Sequence, residues 1–182
     1  MLPILLALGF IALLFIMVIT GQPDEFIVMR SAKMSAPPEK VFPLVNELRQ
    51  WDAWSPWAKL DPNSKMTCTG PPAGVGASQA WAGNKKIGEG SLTITESAPS
   101  NLIRIRLEFL KPFKATNMAQ FIFAPEGNQT VVTWSMTGKS NFFFKVFGLF
   151  MSCDDMAGRD FEKGLADMKS VAETTVRNLP LG

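Results

Sequence analysis

Residues 102–110, Leu-Ile-Arg-Ile-Arg-Leu-Glu-Phe-Leu, carry the reading that decides the fold. Ile103, Ile105, Leu107 and Phe109 alternate with Arg104, Arg106 and Glu108. A period of two sends the apolar set to one face of a strand and the charged set to the other. One side of the sheet therefore meets apolar matter and the other meets water, the usual condition of an antiparallel sheet. The pattern recurs on both sides, as Leu92 and Ile94 against Thr93 and Thr95, and as Val132, Trp134 and Met136 against Thr133 and Ser135. Strands are expected near residues 26–34, 65–69, 77–82, 86–96, 102–110, 114–124 and 130–138. Short joints such as Gly83-Asn84 and Glu126-Gly127-Asn128 make the series an antiparallel meander of hairpins.

The dry face of that sheet needs a cover. Phe161, Leu165, Met168 and Ala172 recur at helical intervals, behind a Ser152-Cys153-Asp154-Asp155 sequence with the spacing of a capping box. An apolar run, 142–150, leads into this helix. Before the meander, Ser35-Ala36-Pro37-Pro38-Glu39 opens a helix expected to run to about Leu48, with its prolines in the first turn. A loop rich in Trp and Pro follows over 51–62. The expected fold is α+β: a curved antiparallel sheet of about seven strands, wrapped on a long C-terminal helix. That is the helix-grip architecture.

The order of elements resembles the START-like, or SRPBCC, superfamily, and within it the polyketide cyclase/dehydrase and lipid-transport branch. The resemblance is carried by Ala36-Pro37-Pro38-Glu39-Lys40-Val41-Phe42, by Trp51 with Trp54-Ser55-Pro56-Trp57, by Trp81-Ala82-Gly83 and by Gly88-Glu89-Gly90. It continues in Thr130-Val131-Val132-Thr133-Trp134 and in Gly158-Arg159-Asp160-Phe161-Glu162-Lys163-Gly164-Leu165, through Lys169 and Glu173. These are packing signatures, so they speak for fold before function. The resemblance implies an apolar cavity between sheet and C-terminal helix, used across the superfamily for lipids, sterols, quinones, polyketides and plant hormones. Some members are enzymes, many are carriers or sensors, and a related branch activates a heat-shock chaperone's ATPase. The residues expected to line the cavity are Trp81, Leu107, Asn117, Phe121, Trp134, Phe161, Gly164 and Leu165. Gly164 is expected to border empty space, so that a larger side chain there would fill it.

Other residues admit two readings. Trp51, Trp54 and Trp57 suit either an aromatic rim, at the cavity mouth or at a membrane interface, or a plug of core. The aromatic side chains of Phe142, Phe143, Phe144, Phe147 and Phe150 suit either core or a membrane-contacting surface. Asp52, Asp61 and Glu89 are the carboxylates available for acid/base work, against a reading as solvated or capping groups. Gly74, Gly76, Gly88 and Gly90 read as turns and bulges, since no Gly-Lys-Ser/Thr phosphate loop follows them. Asn117 shares strand parity with Ala115, Ala119 and Phe121, and its amide suits a ligand head group or neighbouring backbone.

Composition excludes several chemistries. The chain has no His and no Tyr, so a Ser-His-Asp or Cys-His mechanism cannot be built from it alone. Cys68 and Cys153 cannot close a tetrahedral zinc site in one chain, and a disulfide between them is the alternative to two buried thiols. No catalytic set, metal site or cofactor is expected. With 18 basic and 16 acidic residues and a net charge of +2, a nucleic-acid partner is not expected either.

The N-terminus reads differently from the rest. Residues 1–23 hold no charged side chain, and as a helix Leu2 to Thr20 would run roughly 28 Å, close to the ~30 Å hydrocarbon thickness of a bilayer. No Lys or Arg precedes the apolar run and no small-x-small cleavage site follows it, which favours an uncleaved single-pass anchor over a signal peptide. The expected division is therefore an anchor over 1–22 and a ligand-binding domain over 24–178. Arg30 and Lys33 after the helix lean toward a cytoplasmic domain, although Asp24 and Glu25 intervene. The expected function is a membrane-anchored binder or carrier of a small hydrophobic molecule. A cyclase or dehydratase, and a protein-interaction module with a filled core, are the alternatives.

Overall fold

The computed structural model describes residues 1–140, 145–146 and 153–177. Its elements are α1 (Leu2–Thr20), β1 (Glu25–Met34), α2 (Pro38–Val41), α3 (Pro43–Asn46), a 3-10 turn (Leu48–Gln50), α4 (Trp51–Trp54), β2 (Lys65–Thr69), β3 (Ser78–Ala82), β4 (Glu89–Ala98), β5 (Leu102–Lys111), β6 (Ala115–Glu126), β7 (Gln129–Lys139) and α5 (Cys153–Arg177). The strands form one seven-stranded sheet in the order β1-β7-β6-β5-β4-β3-β2. Every neighbouring pair is antiparallel. Strands β2 to β7 thus meander in chain order, and β1 returns to close beside β7.

The alternation read in the sequence sets the faces. Ile94, Ile103, Ile105, Phe121 and Val132 are fully buried, while Arg104 and Arg106 stand in water. On α5 the expected stripe is the buried one, with Phe161, Leu165, Met168 and Ala172 all enclosed. Burying each large apolar side chain stabilises the fold by roughly 1.5–3 kcal/mol, so this interface is the main adhesive of the domain.

α5 is also fastened along β1, an edge strand whose free backbone groups need partners. Lys169 Nζ donates to Lys33 O at 2.7 Å, and Glu173 Oε1 accepts the Ser35 N–H at 2.8 Å. Arg30 reaches from the same strand to Glu162 Oε1 at 2.7 Å and to both oxygens of Asp154 at 2.7 and 2.9 Å. Gly158 makes room for that guanidinium, since a Cβ there would lie 2.2 Å from Arg30 Nη2.

Two expectations need correction. The single helix over 35–48 is broken into α2, α3 and a 3-10 turn. Pro43 has no N–H to continue the ladder, and Glu47, extended at φ −103° and ψ 103°, ends α3. The strand expected over 86–96 begins only at Glu89, because Gly88 turns the chain at φ +65°. A Cβ at Gly88 would lie 2.2 Å from Lys111 O, so glycine also lets these two turns touch. The capping residue Ser152 and the phenylalanines of 142–150 lie outside the described residues.

α1 is a helix of 19 residues with Pro3 in its first turn. Ile4, Leu6, Phe10, Leu13, Phe15 and Val18 are exposed along it, and Ile19 at its end is buried. Four of its side chains, those of Leu2, Leu5, Ala7 and Ala12, lie outside the description. Among the described residues no helix is long and apolar enough to cross a membrane. The expected anchor is therefore not shown by the structure.

Candidate functional site

The sheet bends where its register slips, between Glu89 and Gly90 and between Ile94 and Glu96 on β4. At the first slip Gly90 admits the indole of Trp81, since a Cβ there would meet Trp81 Cζ2 at 2.4 Å and Glu108 O at 2.6 Å. Trp81 is then held by its N–H, which donates to Ile87 O at 3.1 Å, and by an edge contact with Phe109 at 5.8 Å. These residues form one wall.

The opposite wall is an aromatic stack. Trp134 of β7 lies flat on Phe161 of α5 with ring centres 3.9 Å apart, and Phe121 stacks on it at 4.9 Å. Trp54 and Trp57 each meet Trp134 edgewise at 5.8 Å. Trp51 and Trp54 are core, with their N–H groups donating to Val45 O at 3.0 Å and Leu44 O at 2.7 Å. Trp57, half-buried, stands at the cavity. Of the two readings of these tryptophans, core describes Trp54; Trp51 is core that also borders the cavity.

Between these walls lies a cavity of about 370 Å³. Trp81, Leu92, Leu107, Phe109, Trp134, Met136 and Phe161 supply its apolar lining, and Asp52, Ser55, Gln79, Lys86 and Asp160 its polar groups. Trp134 is 3% exposed, and its indole N–H has no hydrogen-bond partner among the described residues. A buried donor without an acceptor costs about 1–3 kcal/mol, so a ligand oxygen or an aromatic face at that edge would be favourable.

Of the expected lining residues, Trp81, Leu107, Trp134 and Phe161 meet at this cavity, and Asn117, Phe121, Gly164 and Leu165 do not. Phe121, part of the aromatic stack, and Leu165 are buried in the packed core. Asn117 faces inward but is taken up by β7, donating to Met136 Sδ at 3.8 Å with its oxygen lying over Gly138. Gly164 borders no empty space. A Cβ there would meet Trp134 Cζ3 at 2.8 Å and Pro56 Cδ at 3.1 Å, so the glycine permits close helix-to-sheet packing. Phe109, Met136 and Gln79 were legible from strand parity, because each shares a face with a residue already expected inside. Asp160 was not, as nothing in helical spacing distinguishes it.

The three carboxylates separate. Asp61 is structural: it accepts from Asn63 N at 3.1 Å and Asn84 N at 2.7 Å, tying the loop after α4 to the β3–β4 turn. Glu89 pairs with Lys111 at 2.8 Å. Only Asp52 of the three reaches the cavity. Charge perturbation is instead found along the α5–β1 seam and at the α1–β1 joint. The hydrogen bond from Arg30 holds Asp154 below the usual carboxylate range, and Arg30 is raised in return. The Ser35 N–H does the same for Glu173, and Lys145 for Asp24. Cys68 is a free, exposed thiol, and the side chain of Cys153 lies outside the described residues. Among the described residues no three His, Cys, Asp or Glu side chains converge as metal ligands would.

A seven-stranded antiparallel sheet gripping a C-terminal helix over an apolar cavity defines the helix-grip class. The chain belongs to the polyketide cyclase/dehydrase and lipid transport family, whose model matches residues 25–173. Solved structures share the fold. CV1439 from Chromobacterium violaceum is 15% identical with a TM-score of 0.58, over 84% of this chain and 99% of that one. MLL2253 from Mesorhizobium loti is 15% identical with a TM-score of 0.60, over 82% of this chain and 98% of that one. The Aha1 dimer from Colwellia psychrerythraea is 18% identical with a TM-score of 0.54, over 81% and 96%. No curated protein matches the chain in sequence.

Proposed function

We propose that the domain binds a small, mainly apolar molecule beneath the bend of the sheet, and that α1 tethers it to a membrane. The cavity carries the first part. Its volume of about 370 Å³ lies within the ~300–1,000 Å³ of small-molecule sites, and it argues against a module with a filled core. Family membership agrees, since lipid transport and polyketide chemistry both require an apolar pocket. The tether is supported by 19 helical residues with no charged side chain and with large apolar groups exposed around the helix. A bilayer would satisfy what water does not.

An enzymatic reading has one observation in its favour, the carboxylates of Asp52 and Asp160 at the cavity wall. Acid/base work on an apolar substrate would fall to these two. Asp52→Asn and Asp160→Asn separate the readings: a carrier keeps its ligand affinity within about tenfold, roughly 1.4 kcal/mol, whereas an enzyme loses turnover.

The test of binding is organic extraction and native mass spectrometry of the purified full chain. A stoichiometric apolar molecule is expected. A ligand-free protein that also fails to bind a solvatochromic dye would end this reading. For the tether, alkaline carbonate should leave the chain in the membrane pellet, and full-length protein in the supernatant would contradict it.

A further inference from the structure

The register of the sheet brings together features that the sequence keeps far apart. Glu25 pairs with Lys139, Phe109 with Ala115, Glu89 with Lys111 and Lys65 with Ala82. One end of the sheet therefore holds the start of β1, the β5–β6 hairpin tip and the β3–β4 turn. α1 joins at this end, and its joint is pinned: Ser140 N donates to Asp24 O at 2.8 Å, and Lys145 Nζ donates to Gln22 O at 2.9 Å. The cavity reaches the surface at the same end, through Lys86 and Met66.

The surface there has its own chemistry. Phe113 at the hairpin tip is 68% exposed, and Leu110 beside it is exposed too. Lys111 and Lys114 flank Phe113 in the tip, and Lys65, Lys85, Lys86 and Lys139 stand exposed along the same end of the sheet. The acidic groups described at this end are Glu25, Asp24 with Lys145, Glu89 with Lys111, and the buried Asp61, which accepts from the Asn84 N–H. At the opposite end the turns are made of Gly70-Pro71-Pro72, Pro99-Ser100-Asn101 and Gly127-Asn128. A lone exposed apolar residue needs no explanation. A phenylalanine at a hairpin tip along a lysine-lined end of the sheet matches the interface of an anionic bilayer, apolar below and negative above. RNA would use the lysines but leaves Phe113 without a role unless a base stacks on it.

We propose that this end of the sheet docks on an anionic lipid surface, with Phe113 entering the interface and the cavity rim facing the bilayer. A ligand would then pass between membrane and cavity without crossing bulk water. The proposal extends the tethering suggested above, and fixes an orientation that a tether alone leaves free.

The test uses the full chain reconstituted in vesicles of phosphatidylcholine and phosphatidylglycerol. With Cys68 and Cys153 replaced by Ser, an environment-sensitive fluorophore is placed at Phe113→Cys or, at the opposite end, at Asn128→Cys. Nitroxide lipids should quench the fluorophore at position 113 several-fold more than at 128. Reversing Lys85, Lys86, Lys114 and Lys139 to Glu should bring the two sites together. Equal quenching in vesicle-bound protein would overturn the docking and leave the tether standing. A chain that does not float with vesicles would overturn both.

Discussion

At the end of the sheet where β4 turns into β5, the dry face is packed shut; at the end where α1 joins β1, it is hollow. Strand β5 passes through both regimes. Its first inward residues, Ile103 and Ile105, are fully buried, whereas Leu107 and Phe109, in the same alternation, are only partly so and line the cavity. The difference lies in what stands opposite. The closed end is covered by α2 to α4, which bring Val41, Phe42, Val45, Leu48, Trp51 and Trp54 onto the sheet, with Phe42 edge-on to Phe123 at 5.3 Å. Toward the other end these helices stop, and the Trp134–Phe161 stack is the partition. Strand parity states which side chains point inward. It does not state whether they find a partner there.

The comparison is broken most directly by truncation at each end. Trp54 is 1% exposed and donates to Leu44 O, so Trp54→Ala removes a large buried ring and leaves a carbonyl unpaired. The expected loss is about 3–5 kcal/mol. Phe109→Ala, on the cavity wall, should cost about 1 kcal/mol, because its ring already has open space on one side. Urea unfolding of both variants measures the contrast. Equal losses would mean that the two ends are packed alike.

Gly164 sharpens the position of the partition. Since a Cβ there already meets Trp134 and Pro56, Gly164→Phe should destabilise by roughly 1–3 kcal/mol through overpacking. Gly164→Ala gains helix propensity of up to about 1 kcal/mol, yet must displace a ring held by stacks on Phe121 and Phe161, so it should be no more stable than wild type. A Phe variant of undiminished melting temperature would place open space behind the stack, where the structure has none.

The same contrast explains what the sequence could reveal. Strands β4, β5 and β7 were legible because each obeys a period of two, and α5 because Phe161, Leu165, Met168 and Ala172 obey a period of 3.6. Trp81, Leu107, Trp134 and Phe161, half of the expected lining residues, do lie at the cavity. The rest depended on facts with no local signature: Pro56 filling the space beside Gly164, Met136 occupying the Asn117 amide, and Phe121 and Leu165 being sealed in the packed core. The lysine-lined end was also invisible in an evenly charged chain, because its lysines are scattered from position 65 to 139 and only the strand register unites them.

Filling the hollow end should separate binding from stability. Leu107→Trp adds volume at a cavity-lining, half-buried position, so stability should stay within about 1 kcal/mol of wild type. Binding of a solvatochromic dye should fall at least about tenfold, roughly 1.4 kcal/mol. A variant that keeps dye affinity would move the ligand site out of this cavity.

The smallest effect concerns the seam that both ends share. Glu173 accepts the Ser35 N–H and Asp154 accepts from Arg30, and each carboxyl is held below its ordinary value in the folded chain. Folding therefore favours the ionised forms. Their contribution is complete above the unfolded carboxylate values of about 4 and disappears as the pH falls through the lower folded values. Asp154 is exposed and Glu173 half-buried at the surface, so the contribution is modest and screened by salt. Glu173→Gln should lower stability slightly near neutrality and flatten its decline below about pH 4, so that variant and wild type converge in acid. The variant should shift the Trp54→Ala and Phe109→Ala backgrounds equally, because the Glu173–Ser35 contact at the end of β1 involves neither ring. Stability measured against pH in the two backgrounds tests this. An acid limb that Glu173→Gln flattens in one background alone would show that the seam supports one end of the sheet more than the other.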